Sequence, residues 1–224
     1  MTADIRLAQL LCSRLCHDLV GPAGAVNAGL ELAEDGDMDG AALDLVTSSA
    51  SEVTRRLAFF RIAFGAAGGK ASAVGTLSLN EARELAAEML AGGKADLHWP
   101  ESSHAPDSLP AGVGKVLLLM ILLASECLPR GGTVTVHTAA LPEGAGLAVS
   151  AQGGGAALKP NLAAALAPNA PDDALDARTV HAYFAQNLAR ADGGFIDTSR
   201  EADGEIRFMA LFPQNQHARK EEEA

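Results

Sequence analysis

Two apolar stripes at helical spacing, joined by a short polar turn, constrain the first part of this chain more than any other feature. Leu7, Leu11, Leu15, Leu19, Pro22, Val26 and Leu30 recur in steps of four and three, which marks one face of a helix. Leu43, Val46, Ala50, Val53, Leu57, Phe60 and Phe64 step 3-4-3-4-3-4, the spacing of a coiled-coil seam. Between them Glu34-Asp35-Gly36-Asp37-Met38-Asp39-Gly40 is polar and carries two glycines, as a turn requires. Gly65 follows the second stripe at once and is placed as a helix C-cap. The expected shape is an antiparallel helical hairpin. A hairpin with apolar residues on both arms buries little alone, whereas two copies make a four-helix bundle. The spacing therefore predicts a homodimer with Leu43, Val46, Val53, Leu57, Phe60 and Phe64 in its core.

Hydrophobic residues make up 48% of the chain and aromatics 4%, so the core has to be built from Leu, Val, Ala and Ile. A net charge of −11 argues against a nucleic-acid partner, because phosphate backbones attract Lys and Arg surfaces. Met1-Thr2-Ala3-Asp4 lacks a basic start, and Arg14, His17 and Asp18 interrupt the first apolar stripe, unlike a signal peptide. The apolar run Val116–Ala124 is too short to span a bilayer. Three cysteines, Cys12, Cys16 and Cys127, make no disulfide framework. These features predict a cytoplasmic protein that binds neither membrane nor nucleic acid.

The remainder reads as a second unit. Ser78-Leu79-Asn80-Glu81 has capping-box spacing and predicts a helix to about Leu90. Leu97–Trp99 suits a short strand, Gly112–Cys127 an apolar helix, and Thr133–Thr138 with Leu147–Ala151 two strands about a Pro/Gly turn. Asp172 or Asp173 is placed as the cap of a helix to about Ala191, and Phe195–Ser199 with Ile206–Phe212 as a hairpin. The expected fold class is α+β: the dimerising hairpin over 1–67, a linker over 68–77, an α/β sandwich over 78–213 and a tail over 214–224.

His17 carries the chemistry. At about 100° per residue it lies roughly opposite Leu15, Leu19 and Val26, so it faces water. Asp18 follows it and Pro22 stands four residues further on, giving His-Asp-x-x-x-Pro. An exposed imidazole acts as a nucleophile when its other nitrogen is held in the right tautomer. The adjacent carboxylate can orient the ring and accept its proton. Other features give less. Cys12 and Cys16 could form half a metal site but are better read as buried small hydrophobes. Gly153-Gly154-Gly155 could cradle a phosphate but fits a plain turn. A Ser-His-Asp hydrolase is disfavoured because no Gly-x-Ser-x-Gly elbow exists.

Residues Leu11–Pro22, Leu-Cys-Ser-Arg-Leu-Cys-His-Asp-Leu-Val-Gly-Pro, resemble the phospho-acceptor box of sensor histidine kinases. More closely they resemble the ChpT-type bacterial histidine phosphotransferases, a likeness that continues through Asn27–Leu32 and Arg61–Gly65. The resemblance implies a homodimer that carries phosphate on His17, with Asp18 assisting. It implies transfer from the receiver domain of a CckA-type hybrid histidine kinase to the receiver domains of CtrA-type and CpdR-type regulators. Mg²⁺ then comes from the partner's receiver, and this chain needs no cofactor or metal of its own. The resemblance also places receiver docking on the His17 face: Val20, Gly21, Gly24, Asn27, Ala28 and Glu31. Arg55 and Arg56 would either steady the phosphoryl group or form an ordinary solvated flank.

The second unit resembles a histidine-kinase ATPase domain in its order of elements, but its nucleotide residues are missing. Counting back from Gly131-Gly132, the Mg²⁺-binding Asn positions fall on Leu119 and Leu123. The adenine-binding Asp position is Ala151, and a Gly-rich phosphate loop is replaced by Asp176-Ala177-Arg178-Thr179-Val180-His181. Without a nucleotide a chain cannot phosphorylate itself, so the expected source of its phosphate is another protein. An active kinase and a non-catalytic receiver-docking adaptor remain the rivals.

Overall fold

The computed structural model describes residues 3–34, 40–65, 75–102, 104–170, 175–201 and 203–213. Helix α1 (Ala3–Glu34) and helix α2 (Gly40–Ala63) form the hairpin, and α1 continues through Pro22 as one element. The middle of the expected turn, the linker residues 66–74 and the tail lie outside the described residues. Leu7, Leu11, Leu15, Leu19, Pro22 and Val26 are partly buried, as their shared face requires. Leu30 departs from that stripe at 47% exposure. Each step of four drifts by about 40°, so Leu30 has moved off the centre of the stripe, while the step of three from Val26 returns Gly29 towards it and Gly29 takes the inward place. A Cβ on Gly29 would run into Val46 Cγ2, so the helices meet here at backbone distance.

The expected seam on α2 divides in two. Phe60 is buried, Val46, Val53 and Phe64 are half-buried, and Leu43 and Leu57 stand 53% and 50% exposed. Ala42, Ser49, Phe59 and Ala63 are buried instead: Phe59 and Ala63 pack into the core of the second unit, and Ala42 lies against Gly29 of α1. Leu43, Ala50 and Leu57, seven apart, are left as an exposed apolar flank of the single chain.

In the second unit, strand β1 (Thr76–Ser78) leads to α3 (Leu79–Leu90), whose N-cap Ser78 Oγ accepts from Glu81 N–H at 3.1 Å. Strands β2 (Ala95–His98) and β3 (Ser108–Pro110) precede α4 (Ala111–Glu126), then β4 (Gly132–Leu141) and β5 (Gly144–Gln152). Helices α5 (Pro160–Leu166) and α6 (Val180–Ala191) precede β6 (Ile196–Arg200) and β7 (Ile206–Pro213). The main sheet has the order β2-β4-β5-β7-β6, with β2 parallel to β4 and the other pairs antiparallel. Helix α4 is apolar on all sides and buried on all sides, packed on the sheet and against α6.

Two features differ from expectation. The last helix begins at Val180, and the expected caps Asp172 and Asp173 lie outside the described residues. Helix α5 and the small β1–β3 sheet lie outside the sequence pattern: three-residue strands carry no periodicity, although Pro160 at the first turn of α5 is a helix-start signal.

The hairpin is seated on the second unit, and one core runs through both. Phe59, Phe60 and Ala63 are buried in the same cluster as Leu117, Leu122 and Ala182. Phe64 and Phe184 stack with ring centroids 5.7 Å apart, and Lys115 Nζ donates to the Gly65 carbonyl at 2.5 Å. Two glycines of α1 should therefore respond oppositely to the same change. Space is open at Gly24, so Gly24→Ala should raise stability by about 0.5–1 kcal/mol. Gly29→Ala meets a β-branched side chain that cannot swing away, and overpacking of about 1–3 kcal/mol should outweigh the helix gain. Melting curves of the two variants should move in opposite directions.

Candidate functional site

His17 stands on the outer side of α1 with its side chain 73% exposed. Its Nδ1 lies 3.2 Å from Asp18 Oδ1, which leaves Nε2 towards solvent. The carboxylate is far less exposed than the ring it holds, at 11%. Asp18 and Arg14 sit four apart, on the shoulder of α1 between its buried stripe and the His17 face. Arg14 Nε donates to Asp18 Oδ2 at 2.7 Å, and Arg14 Nη2 donates to Glu126 Oε1 at 2.5 Å. Glu126 is the last residue of α4, so this guanidinium joins the hairpin to the second unit. The fully buried His181, near the start of α6, brings Nε2 to 3.4 Å from the same Glu126 oxygen, and neither of its ring nitrogens makes a hydrogen bond among the described residues.

The electrostatics follow from this arrangement. Burial by itself lowers the Arg14 guanidinium, but Glu126 and Asp18 outweigh it and its pKa is raised. Burial raises the Glu126 carboxyl, yet His181 and Arg14 together hold it below its ordinary value. The Cys127 thiol, buried beside Glu126, is pushed up to about 12, so it is no nucleophile at neutral pH.

A cleft of about 310 Å³ opens between hairpin and second unit, lined by Arg14, Asp18, Arg56, Lys94 and Glu126. Arg56 shares this cleft with Asp18, its guanidinium paired to Glu52 at 2.7 Å. Arg55 turns instead to the C-terminal end of α3, where its Nη2 donates to the Ala91 carbonyl at 3.5 Å. Val20, Gly21, Gly24, Asn27, Ala28 and Glu31 are all exposed, on the same side of α1 as His17. A Cβ on Gly21 or Gly24 would meet nothing, so that face is smooth and open. Cys12 and Cys16 are exposed, contrary to the expectation of burial, because their angle on the helix falls between the core stripe and the His17 face.

Arg14, Glu126 and His181 were not singled out from the sequence. Arg14 had a signal, an Arg four residues before the Asp of the histidine motif. Glu126 had a fainter one: it is the only charged residue between Lys115 and Arg130. The positions matched to nucleotide ligands are filled with core. Leu119, Leu123 and Ala151 have no exposed surface. Ahead of α6 the Asp176 carboxylate accepts from Arg178 N–H at 2.8 Å and from Thr179 Oγ at 3.0 Å, so a carboxylate of the chain itself occupies the approach to that helix. A Cβ on Gly153 would strike the Gly131 carbonyl, so that glycine serves a tight backbone crossing.

The imidazole of His17 thus stands exposed on a helical hairpin, its Nδ1 against a carboxylate and its Nε2 open to solvent. Residues 79–204 match the histidine phosphotransferase C-terminal domain family. The chain is 35% identical to the protein phosphotransferase ChpT of Brucella abortus (strain 2308), over 91% of this chain and 94% of that one. A solved bacterial phosphotransferase superposes with a TM-score of 0.78 at 32% identity, covering 94% of this chain and 98% of its own. The chain belongs to the histidine phosphotransferase family and is a protein-histidine phosphotransferase of a two-component phosphorelay. No helix among the described residues is long and apolar enough to cross a membrane.

The lowered Glu126 carboxyl makes stability depend on pH with a definite sign. Its ionised form is favoured in the folded chain, so its contribution is whole above the ordinary value of 4.5 and is lost as pH falls through the lower folded value. Glu126→Gln lacks this contribution at every pH. The gap in melting temperature between wild type and Glu126→Gln should therefore stay constant from neutral pH to about 4.5 and close below it.

Proposed function

We propose that His17 is the phosphate carrier and that Nε2 is the atom that takes it. One observation carries this reading: the ring is exposed while its Nδ1 is tied to Asp18, so a single nitrogen lone pair is left free for attack. In the forward step the Nε2 lone pair forms the N–P bond as the P–O bond to a receiver aspartate breaks. The electron pair leaves with the receiver carboxylate. The Nδ1 proton stays on its hydrogen bond to Asp18, which offsets the positive charge that develops on the ring. Passing the phosphoryl group to a second receiver runs the same step in reverse, and the N–P electron pair returns to the ring.

The partners of this reading are the receiver domain of a CckA-type hybrid kinase and those of CtrA-type and CpdR-type regulators. The exposed, small-residue face Val20, Gly21, Gly24, Asn27, Ala28 and Glu31 suits the close approach of a receiver helix. Mg²⁺ belongs to the receiver's acidic pocket, and transfer takes place in the cytoplasm. We propose that the second unit holds no nucleotide, since buried Leu119 and Leu123 offer no oxygen to Mg²⁺ and buried Ala151 no acceptor to adenine. That separates this chain from an active kinase. The working unit is a homodimer: Leu43 and Leu57 form an apolar flank of the single chain that a second hairpin would cover.

His17→Ala should fold as wild type does, because its side chain faces water, and should take no label from a phosphorylated receiver. Label at the wild-type level would overturn the assignment. Asp18→Asn should slow transfer by roughly a hundredfold without abolishing it. In sedimentation, Leu57→Asp should give monomers or aggregates; a well-folded dimer would put the interface on another face.

A further inference from the structure

We propose that Glu126, on α4 of the second unit, is a positioning residue for phosphotransfer, acting through Arg14 and Asp18 on His17. The inference rests on the reading of His17 as carrier. The chain of contacts is continuous: Glu126 Oε1 to Arg14 Nη2 at 2.5 Å, Arg14 Nε to Asp18 Oδ2 at 2.7 Å, Asp18 Oδ1 to His17 Nδ1 at 3.2 Å. Exposure drops sharply after the first link, from 73% at the His17 side chain to between 11% and 20% at Asp18, Arg14 and Glu126. The reacting ring is therefore in water while everything that aims it is held inside the protein.

Two physical consequences give Glu126 its role. The first is geometric. A guanidinium presents donors in a rigid fork, so gripping one edge fixes the direction of the other. Glu126 grips Nη2, and Nε then meets Asp18 with a set orientation. Asp18 Oδ2 is thereby committed to Arg14, and Oδ1 is the oxygen left for His17. His181, without exposed surface, walls the far side of Glu126 and limits its movement.

The second consequence is one of charge. Arg14 alone would neutralise Asp18 and weaken it as a partner for the positive charge arriving on the ring. With Glu126 on the same guanidinium, one positive charge is shared between two negative ones, and Asp18 keeps net negative character. The second unit thus contributes to the reacting group itself.

The test uses the full-length chain, with a phosphorylated receiver domain as donor. In Glu126→Gln the transfer rate at saturating receiver should fall roughly tenfold, with half-saturation within about twofold of wild type. Nitrogen NMR of His17 should show a loss of the Nδ1–H tautomer that the bond to Asp18 imposes, a signature that loosened packing elsewhere would not produce. In an Asp18→Asn background the same change should cost nothing more, since its route is already cut. Additive losses, a wild-type rate, or a loss confined to half-saturation would each overturn the proposal. If Glu126→Gln does not stay folded at the assay temperature, Arg14→Lys puts the same question. It keeps the charge but loses the fork, and the same drop in rate and tautomer is expected. His17→Ala separates the two levels. If it still accepts phosphate, the carrier reading fails; if it is dead while Glu126→Gln transfers normally, only the positioning role fails.

Discussion

The Arg14 guanidinium, held between a carboxylate on its own helix and one at the end of α4, is the contact on which the arrangement of the site depends. It does little to hold the chain together. Half-buried ion pairs offset much of their attraction by lost hydration, and the free energy of the seat comes from apolar burial. Phe59, Phe60 and Ala63 supply that burial, with Phe64 against Phe184 at the rim. Apolar contact has no direction, however, and would tolerate the hairpin sliding along the second unit. The guanidinium fork does not tolerate it. The seat therefore draws its strength from Phe59 and Phe60, and its register from directional contacts: Arg14 to Glu126, Arg55 to the Ala91 carbonyl and Lys115 to the Gly65 carbonyl.

That division explains what has become of the second unit. Helix α4 is buried at Val113, Gly114 and from Val116 to Ala124, and this includes Leu119 and Leu123, which the resemblance to a kinase ATPase domain matches to polar ligand positions. Filling these places with leucine turns a binding surface into core. The helix then ends abruptly in Ser125 and Glu126, polar residues at the point where it reaches the hairpin. Burial of the rest of α4 anchors this end, so the carboxylate that meets Arg14 is carried on a helix with little freedom to move. On the reading that this unit holds no nucleotide, its use is mechanical, as the rigid mount for one oxygen atom.

Much of this was legible in the sequence, and the limits have physical reasons. The hairpin, the capped start of α3, the apolar α4 and the terminal β-hairpin follow from periodicity and capping, which are local. The exposure of His17 followed from its angle to Leu15, Leu19 and Val26. The division of the α2 seam was not legible, because a heptad pattern shows which residues are apolar and not which neighbour takes each of them. Phe59 is buried by the second unit and Leu57 is not, though both are large and apolar. Arg14 and Glu126 are 112 positions apart, and no spacing rule connects them. Contacts of that kind become visible only once the two units are docked.

The same contacts bear on how tightly phosphate can be kept. Three cationic side chains line the cleft beside Asp18, and each is engaged within the protein. Arg14 is shared by two carboxylates, Arg56 is paired with Glu52, and Lys94 Nζ donates to the Pro129 carbonyl at 3.2 Å. On the reading of His17 as carrier, a phosphoryl group there would project from an exposed ring towards water, and a cation would have to leave its partner to reach it. Stabilising the carried state would deepen a well from which each onward transfer must climb. A relay gains by leaving that state shallow. Charge on the moving group is then neutralised mainly while a receiver and its Mg²⁺ are docked, when transfer can follow. The site holds the nucleophile's geometry firmly and its product loosely, which suits a carrier whose substrate and product are the same group.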